Sequence, residues 1–139
     1  MHTRLLTLVV LAAALATPAS AATSHPQQRL DAARKQWKAA HVSSYRYEVA
    51  VSCFCAPRNG HLFYVVRHGV ARPPRNGDKS VATVPRLLRM IQDAIDRHVA
   101  RLDVTYGRRG VPKSIYIDGV ANIADDEVTY TITHFTTLK

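Results

Sequence analysis

The sequence predicts an α+β fold: an antiparallel sheet of about five strands with two helices covering one face. Three observations carry this expectation. Apolar residues recur at three- and four-residue steps in two segments, from Pro26 to His41 and from Val84 to Ile95. In five other segments the period changes to two or the chain runs apolar over a strand's length. Those five fall into two groups with short internal connections, as antiparallel neighbours require. The order is therefore α-β-β-α-β-β-β. Every strand except the second has one polar face, which implies a sheet packed on one side only.

The leader, residues 1–21, stands apart from that pattern. Arg4 supplies a positive start, Leu5 to Ala16 is an almost unbroken apolar run, and Thr17-Pro18 ends it. Ala19-Ser20-Ala21 then places small residues where a signal peptidase cuts, before Ala22. The run is shorter than the roughly 20 residues that span a bilayer. Residues 1–21 thus read as a secretory signal peptide that leaves no transmembrane anchor after cleavage. Residues 22–139 are expected to form a single α+β domain, exported to the periplasm or the medium.

Ser24-His25-Pro26-Gln27 fits a capping box with Ser24 as N-cap, and Pro26 is tolerated in the first turn. Leu30, Ala33, Trp37 and Ala40 then form one apolar helix face that ends near His41. From Tyr45 the register alternates. Tyr45, Tyr47, Val49, Val51, Cys53 and Cys55 share one side; Arg46, Glu48, Ala50 and Ser52 share the other. Ala56 to Gly60 ends in Asn-Gly, a strong hairpin signal, and His61 to Arg67 is the returning strand. His68 to Ser80, broken by Gly69, Pro73-Pro74 and Gly77, reads as an exposed, mobile loop.

Thr83 caps a second helix with Pro85 in its first turn. Its stripe runs Val84, Leu87, Leu88, Ile91, Ala94, Ile95 and His98, broad enough to be core. Leu102, Val104 and Tyr106 alternate in a third strand, Gly107 to Pro112 turns, and Ile115 and Ile117 alternate in a fourth. Asp118 to Asp126 is a polar connection. In the last strand Val128, Tyr130, Ile132 and His134 face opposite to Thr129, Thr131 and Thr133. The predicted core joins Tyr45, Tyr47, Val49, Val51, Leu102, Val104, Ile115, Ile117, Val128, Tyr130 and Ile132 to Leu30, Trp37, Leu87, Leu88 and Ile91.

The formal charge is +9. Such a charge implies either association of an exported protein with anionic cell-envelope components or an acidic protein, or scattered Arg residues on a solvated surface. Export argues against a nucleic-acid partner. So do the only local clusters, Arg72-Pro73-Pro74-Arg75 and Arg108-Arg109, which do not interleave with aromatics as a base-stacking platform would.

Cys53-Phe54-Cys55 is the one unusual chemical feature. An even cysteine count in an exported chain suggests that the two pair with each other. Residues two apart on a strand have Cα atoms about 6.6–6.8 Å apart, at the outer edge of what a disulfide spans. The short loop would add only about 1.6 kcal/mol in the chain-entropy model. Such a bridge is therefore either an inert local link or a strained, exchange-prone pair. Reduced, Cys53 and Cys55 would offer a soft site for Cu(I) or Zn(II) with His61 as a third ligand. Asp118, Asp125, Asp126 and Glu127 form the only acidic cluster. It is either a turn that binds a hard cation or ordinary turn chemistry at a strand entry; the spacing does not match an EF-hand loop.

The mature histidines, at 25, 41, 61, 68, 98 and 134, have no ligand-like spacing, and His134 reads as a satisfied core or rim group. There is no H-E-x-x-H, no G-x-S-x-G and no Gly-rich phosphate loop. No catalytic residue and no cofactor are expected.

The chain resembles an uncharacterised family of small exported bacterial proteins, a domain of unknown function. The resemblance spans Trp37 to Phe135. It is carried by Trp37, Tyr45-x-Tyr47, Cys53-x-Cys55 followed by Pro57, and the helix from Val84 to Ile95. Further on it includes Val104-x-Tyr106, Gly110-x-Pro112, Ile117-Asp118 and Ala124-Asp125-Asp126-Glu127. Gly107 stands where an Asp is expected after the tyrosine, which weakens a cation site at that turn. The resemblance implies export and this architecture, and assigns no activity.

The expectation is a non-enzymatic, exported binding or envelope-associated module. It would use the Thr-rich open face of the sheet or the basic segment 68–80. The alternative is a thiol-based redox or soft-metal protein using the C-x-C pair.

Overall fold

The structure, a computed structural model, describes residues 25–54, 61–123 and 125–139. The leader, the expected N-cap Ser24, Cys55 and the turn at 56–60 lie outside them. Within them the chain is an antiparallel sheet of six strands with two α-helices, α1 (Pro26–Ala39) and α2 (Val84–Asp96). The strands are β1 (Tyr45–Cys53), β2 (Leu62–Arg67), β3 (Val70–Arg72), β4 (Arg101–Tyr106), β5 (Pro112–Asp118) and β6 (Val128–Thr137). Their spatial order is β3-β2-β1-β6-β5-β4, so the first and last strands meet at the centre.

Both helices begin as the sequence dictates, with one change of cap. Pro26 occupies the first turn of α1, but the N-cap is His25, whose Nδ1 accepts the Gln27 N–H at 3.3 Å. The Gln27 side chain, freed from the expected capping box, pairs reciprocally with the Gln92 amide of α2 at 2.8 and 3.1 Å. Thr83 caps α2 by accepting the Arg86 N–H at 3.2 Å. The buried stripe of α2 is Val84, Leu87, Leu88, Ile91 and Ala94. His98, expected on that stripe, falls beyond the helix end and is exposed, with a left-handed φ of 52°.

Two tyrosines lock α2 to the sheet. The Tyr45 hydroxyl accepts the Val84 N–H at 3.0 Å, and the Tyr47 hydroxyl donates to the Val81 carbonyl. Their rings stack with Tyr64 of β2 in a row, at centroid separations of 5.9 and 5.7 Å. Burial pushes both hydroxyls above the usual tyrosine range, against the hydrogen bond from Val84 at Tyr45 and the charge of Arg86 at Tyr47. On the other side of α1 the turn at Arg108–Gly110 packs against the helix backbone. A Cβ built on Gly110 would lie 2.1 Å from the Ala33 carbonyl oxygen, so only glycine permits that approach.

Three further expectations need correction. His68 to Ser80 is not simply an open loop. Val70–Arg72 folds back on β2, pairing Val65 with Arg72 and Arg67 with Val70, and adds the sixth strand. The segment is too short and too broken by Gly69 and the proline pair for alternation to reveal it. Second, Val51, Leu102, Val128, Tyr130 and Trp37 are only partly buried, whereas Tyr45, Tyr47, Val49, Ile115, Ile117 and Ile132 are in the core. Val51 pairs with Tyr130 and Cys53 with Val128, so one end of the β1–β6 ladder is less deeply covered than the Tyr45–Val49 end. Third, His134 leaves the apolar side, for a reason that creates the candidate site.

Candidate functional site

The β1–β6 register shifts between Arg46 and Glu48. Arg46 pairs with Thr136 but Glu48 pairs with Thr133, so His134 and Phe135 together face Tyr47. This is a β-bulge, and the extra residue is His134, held at φ 52°. The bulge resets the alternation. Phe135 turns inward to pack on Trp37 and Tyr45, with ring centroids 6.1 and 5.4 Å away. His134 turns outward, beside Thr133.

There it meets Glu48. This residue lies on the polar side of β1, yet it is only 5% exposed. The carboxylate is flanked from both sides. His134 Nδ1 lies 2.6 Å from Oε2, and His61 Nδ1, next to the first residue of β2, contacts Oε1. The Thr133 hydroxyl donates to Oε2 at 3.4 Å. Burial pushes the Glu48 carboxyl up, but the hydrogen bond from His134 and the charge and hydrogen bond of His61 outweigh it. The group is held below the usual glutamate range. An ionised carboxylate accepts and cannot donate, so each Nδ1 carries the proton and Nε2 is the ring nitrogen left for other partners. Both imidazoles are largely exposed, at 69% and 74%.

One carboxylate thus orients two exposed imidazoles. The arrangement fixes tautomers and ring positions, as a carboxylate does for a histidine that binds or transfers a proton. The contacts are of hydrogen-bond length, so no ion fits between these groups. Among the described residues no group of three or more His, Cys, Asp or Glu is placed to hold a metal ion.

Of the residues singled out by sequence, His61 alone joins this cluster among the described residues. Cys53 ends β1, half-buried, in the register of Val49 and Val51, and it has a partner. His61 sits on the Glu48 side. Cys55 is outside the described residues, so no geometry joins the three. In the acidic connection Asp126 Oδ2 accepts the Val120 N–H at 2.8 Å, closing the turn. Asp118 is pushed up by burial and by the nearby Asp126 and Glu127 carboxylates. Asp125 is exposed in a left-handed turn position.

With the fold and this cluster in view, the family can be stated. A family model described as a family of unknown function (DUF6174) matches residues 29–137. The chain belongs to DUF6174. No curated protein and no solved structure showed significant similarity to it. The DUF6174 match includes Glu48, His61 and His134, together with both helices apart from the first turn of α1.

Sequence reasoning missed Glu48 and misplaced His134. One signal for Glu48 was present: it is the only acid in β1, and lies two residues from Arg46 on the same face. The bulge that brings His134 to it leaves no trace in alternation.

Proposed function

We propose that this DUF6174 chain is an exported, non-enzymatic binding module that takes an anionic component of the cell envelope. The observation that carries this reading is a cleft of about 620 Å³ between the β3 segment and the start of α2. Trp37 and Tyr45 form an aromatic wall, Pro73 flanks it, and Lys79, Arg86 and Arg89 supply three cations. Among the described residues no acidic side chain lines the cleft. Aromatic faces and Arg or Lys charges together suit an anionic group carried on a less polar body. The open face of the sheet is the poorer candidate. Two of its charged groups, the Arg101–Asp103 pair at 2.6 Å and the Glu48 cluster, are already spent internally.

Export rests on the leader, and N-terminal sequencing of exported material should give Ala22 or a residue within one or two of it. Cys53 is taken to pair with Cys55 on the even cysteine count of an exported chain, a pairing that alkylation with and without reductant measures by intact mass. Binding is tested with vesicles rich in phosphatidylglycerol, with purely zwitterionic vesicles, and with a soluble polyanion. The protein should cosediment with the first and not the second, and binding should weaken as salt rises. Replacing Lys79 and Arg89 by Glu should abolish it while the fold is kept. Equal binding to zwitterionic vesicles, or full retention by the charge-reversed variant, would reject the reading; binding only to the soluble polyanion would reject a lipid source.

A further inference from the structure

A second cleft opens where the bulge separates β6 from β5. The β5–β6 ladder runs from Ile117–Val128 to Ser114–Thr131 and stops, while β6 continues alongside β1 to the Tyr45–Thr137 pair. The gap between the diverging strands and the turn before β5 has a volume of about 520 Å³. Ile132 and Phe135 line its apolar part; Arg108, Arg109, Lys113 and His134 line the rest. Among the described residues no acidic side chain lines it. Among the described residues none of the three cations makes an ion pair.

We propose that this cleft binds a phosphomonoester, with the phosphoryl group on the cations and an apolar organic body on Ile132 and Phe135. The charge argues for a dianion: three unpaired cations converge on one concavity. The volume is in the range of small-molecule sites and far exceeds an inorganic ion, so the ligand has a body as well as a head.

The cleft is also built rather than draped. Gly107 N–H donates to the Val111 carbonyl at 2.8 Å, and Gly110 is pressed on the backbone of Ala33. These contacts fix the turn that carries the two arginines. Arg109 is held at φ 61° and His134 at φ 52°, so two non-glycine residues with left-handed backbones line the same cavity. Such backbones persist only where surrounding structure imposes them. His134 is further fixed by Glu48 at Nδ1, and its Nε2 donates to a phosphoryl oxygen in the imidazolium form, whereas in the neutral ring it accepts from a P–OH. The proposal is independent of the Lys79–Arg89 cleft, whose cations are different residues.

The test is calorimetric titration of the mature protein with phenyl phosphate, inorganic phosphate and benzoate. Phenyl phosphate should bind saturably and at least tenfold more tightly than either of the others. Arg109→Gly removes a charge at a position where glycine is conformationally at ease, so the fold should hold. Combined with Arg108→Ala it should weaken phenyl phosphate binding at least tenfold, with an unchanged melting temperature. Arg109→Lys should recover part of the loss, and Lys35→Ala, exposed on α1 and lining neither cleft, should leave phenyl phosphate binding unchanged. Three results would overturn the proposal: no saturable binding of phenyl phosphate, equal affinity for inorganic phosphate, or undiminished binding by the double variant. Should the double variant not fold, Lys113→Ala on the exposed rim provides the same comparison, and undiminished binding there would equally overturn it.

Discussion

Tyr47 and Glu48 are neighbours on one strand, and both are almost fully buried. They are buried by opposite means. Tyr47 lies on the helix-covered face, between Tyr45 and Tyr64, with its hydroxyl on the Val81 carbonyl. Glu48 lies on the open face, and its cover is two imidazoles and a threonine brought in by a hairpin partner and a bulge. On the first face apolar area is withdrawn from water, worth about 1.5–3 kcal/mol per large side chain. On the second a charge is withdrawn and compensated by hydrogen bonds, which contributes little net stability but fixes geometry. The covered face accounts for the fold. The open face accounts for the orientation of exposed chemistry.

The largest effect should come from the covered face. Tyr47→Ala should cost about 3–5 kcal/mol, the range for removing a large buried aromatic, and Tyr47→Phe about 1 kcal/mol for the lost hydrogen bond. Denaturant titration measures both. A loss below 1 kcal/mol for the alanine variant would mean that the tyrosine row is not core. Within the covered face, depth should matter. Val49→Ala, at a site 2% exposed, should cost about 2–4 kcal/mol, and Val51→Ala, at the less covered end of the ladder, distinctly less. Equal losses would erase the gradient described along β1.

The open face should respond to pH instead. The folded Glu48 carboxyl sits below its ordinary value of 4.5. Its contribution to stability is therefore complete above that value and is lost as pH falls through the lower folded value. Glu48→Gln should flatten this acid limb of the stability profile relative to the parent. An unchanged slope would mean that the carboxylate is not held by its partners. The smallest effect belongs to Phe63, which pairs with Glu48 across β1–β2 but is 58% exposed. Phe63→Ser should change stability by less than about 0.5 kcal/mol. A larger loss would show that the open face has a core of its own.

The same contrast explains what the sequence disclosed. Helices and the odd-numbered register from Tyr45 to Cys53 follow from period and burial, and they were legible because one covered face imposes alternation. So were Thr83 as a cap and the turn at Gly107 to Pro112. β3 was not legible, because three residues cannot establish a period. The acid–histidine cluster was not legible either, because it depends on breaking the period. A single extra residue in β6 moves His134 from the side where alternation places it to the side where Glu48 lies. The cleft with Arg108, Arg109 and Lys113 follows from the same bulge, so it was equally hidden, although the Arg108-Arg109 pair itself was plain.

The central claim is that Glu48 holds both imidazoles by Nδ1 and so presents Nε2 outward. Nitrogen-15 NMR of the histidine side chains in the folded protein above pH 8 tests it directly. His61 and His134 should show the Nδ1–H tautomer in the parent and lose that preference in Glu48→Ala, while His98 stays the same in both. Predominantly Nε2–H tautomers at His61 and His134 in the parent, unaffected by the loss of the carboxylate, would contradict the account.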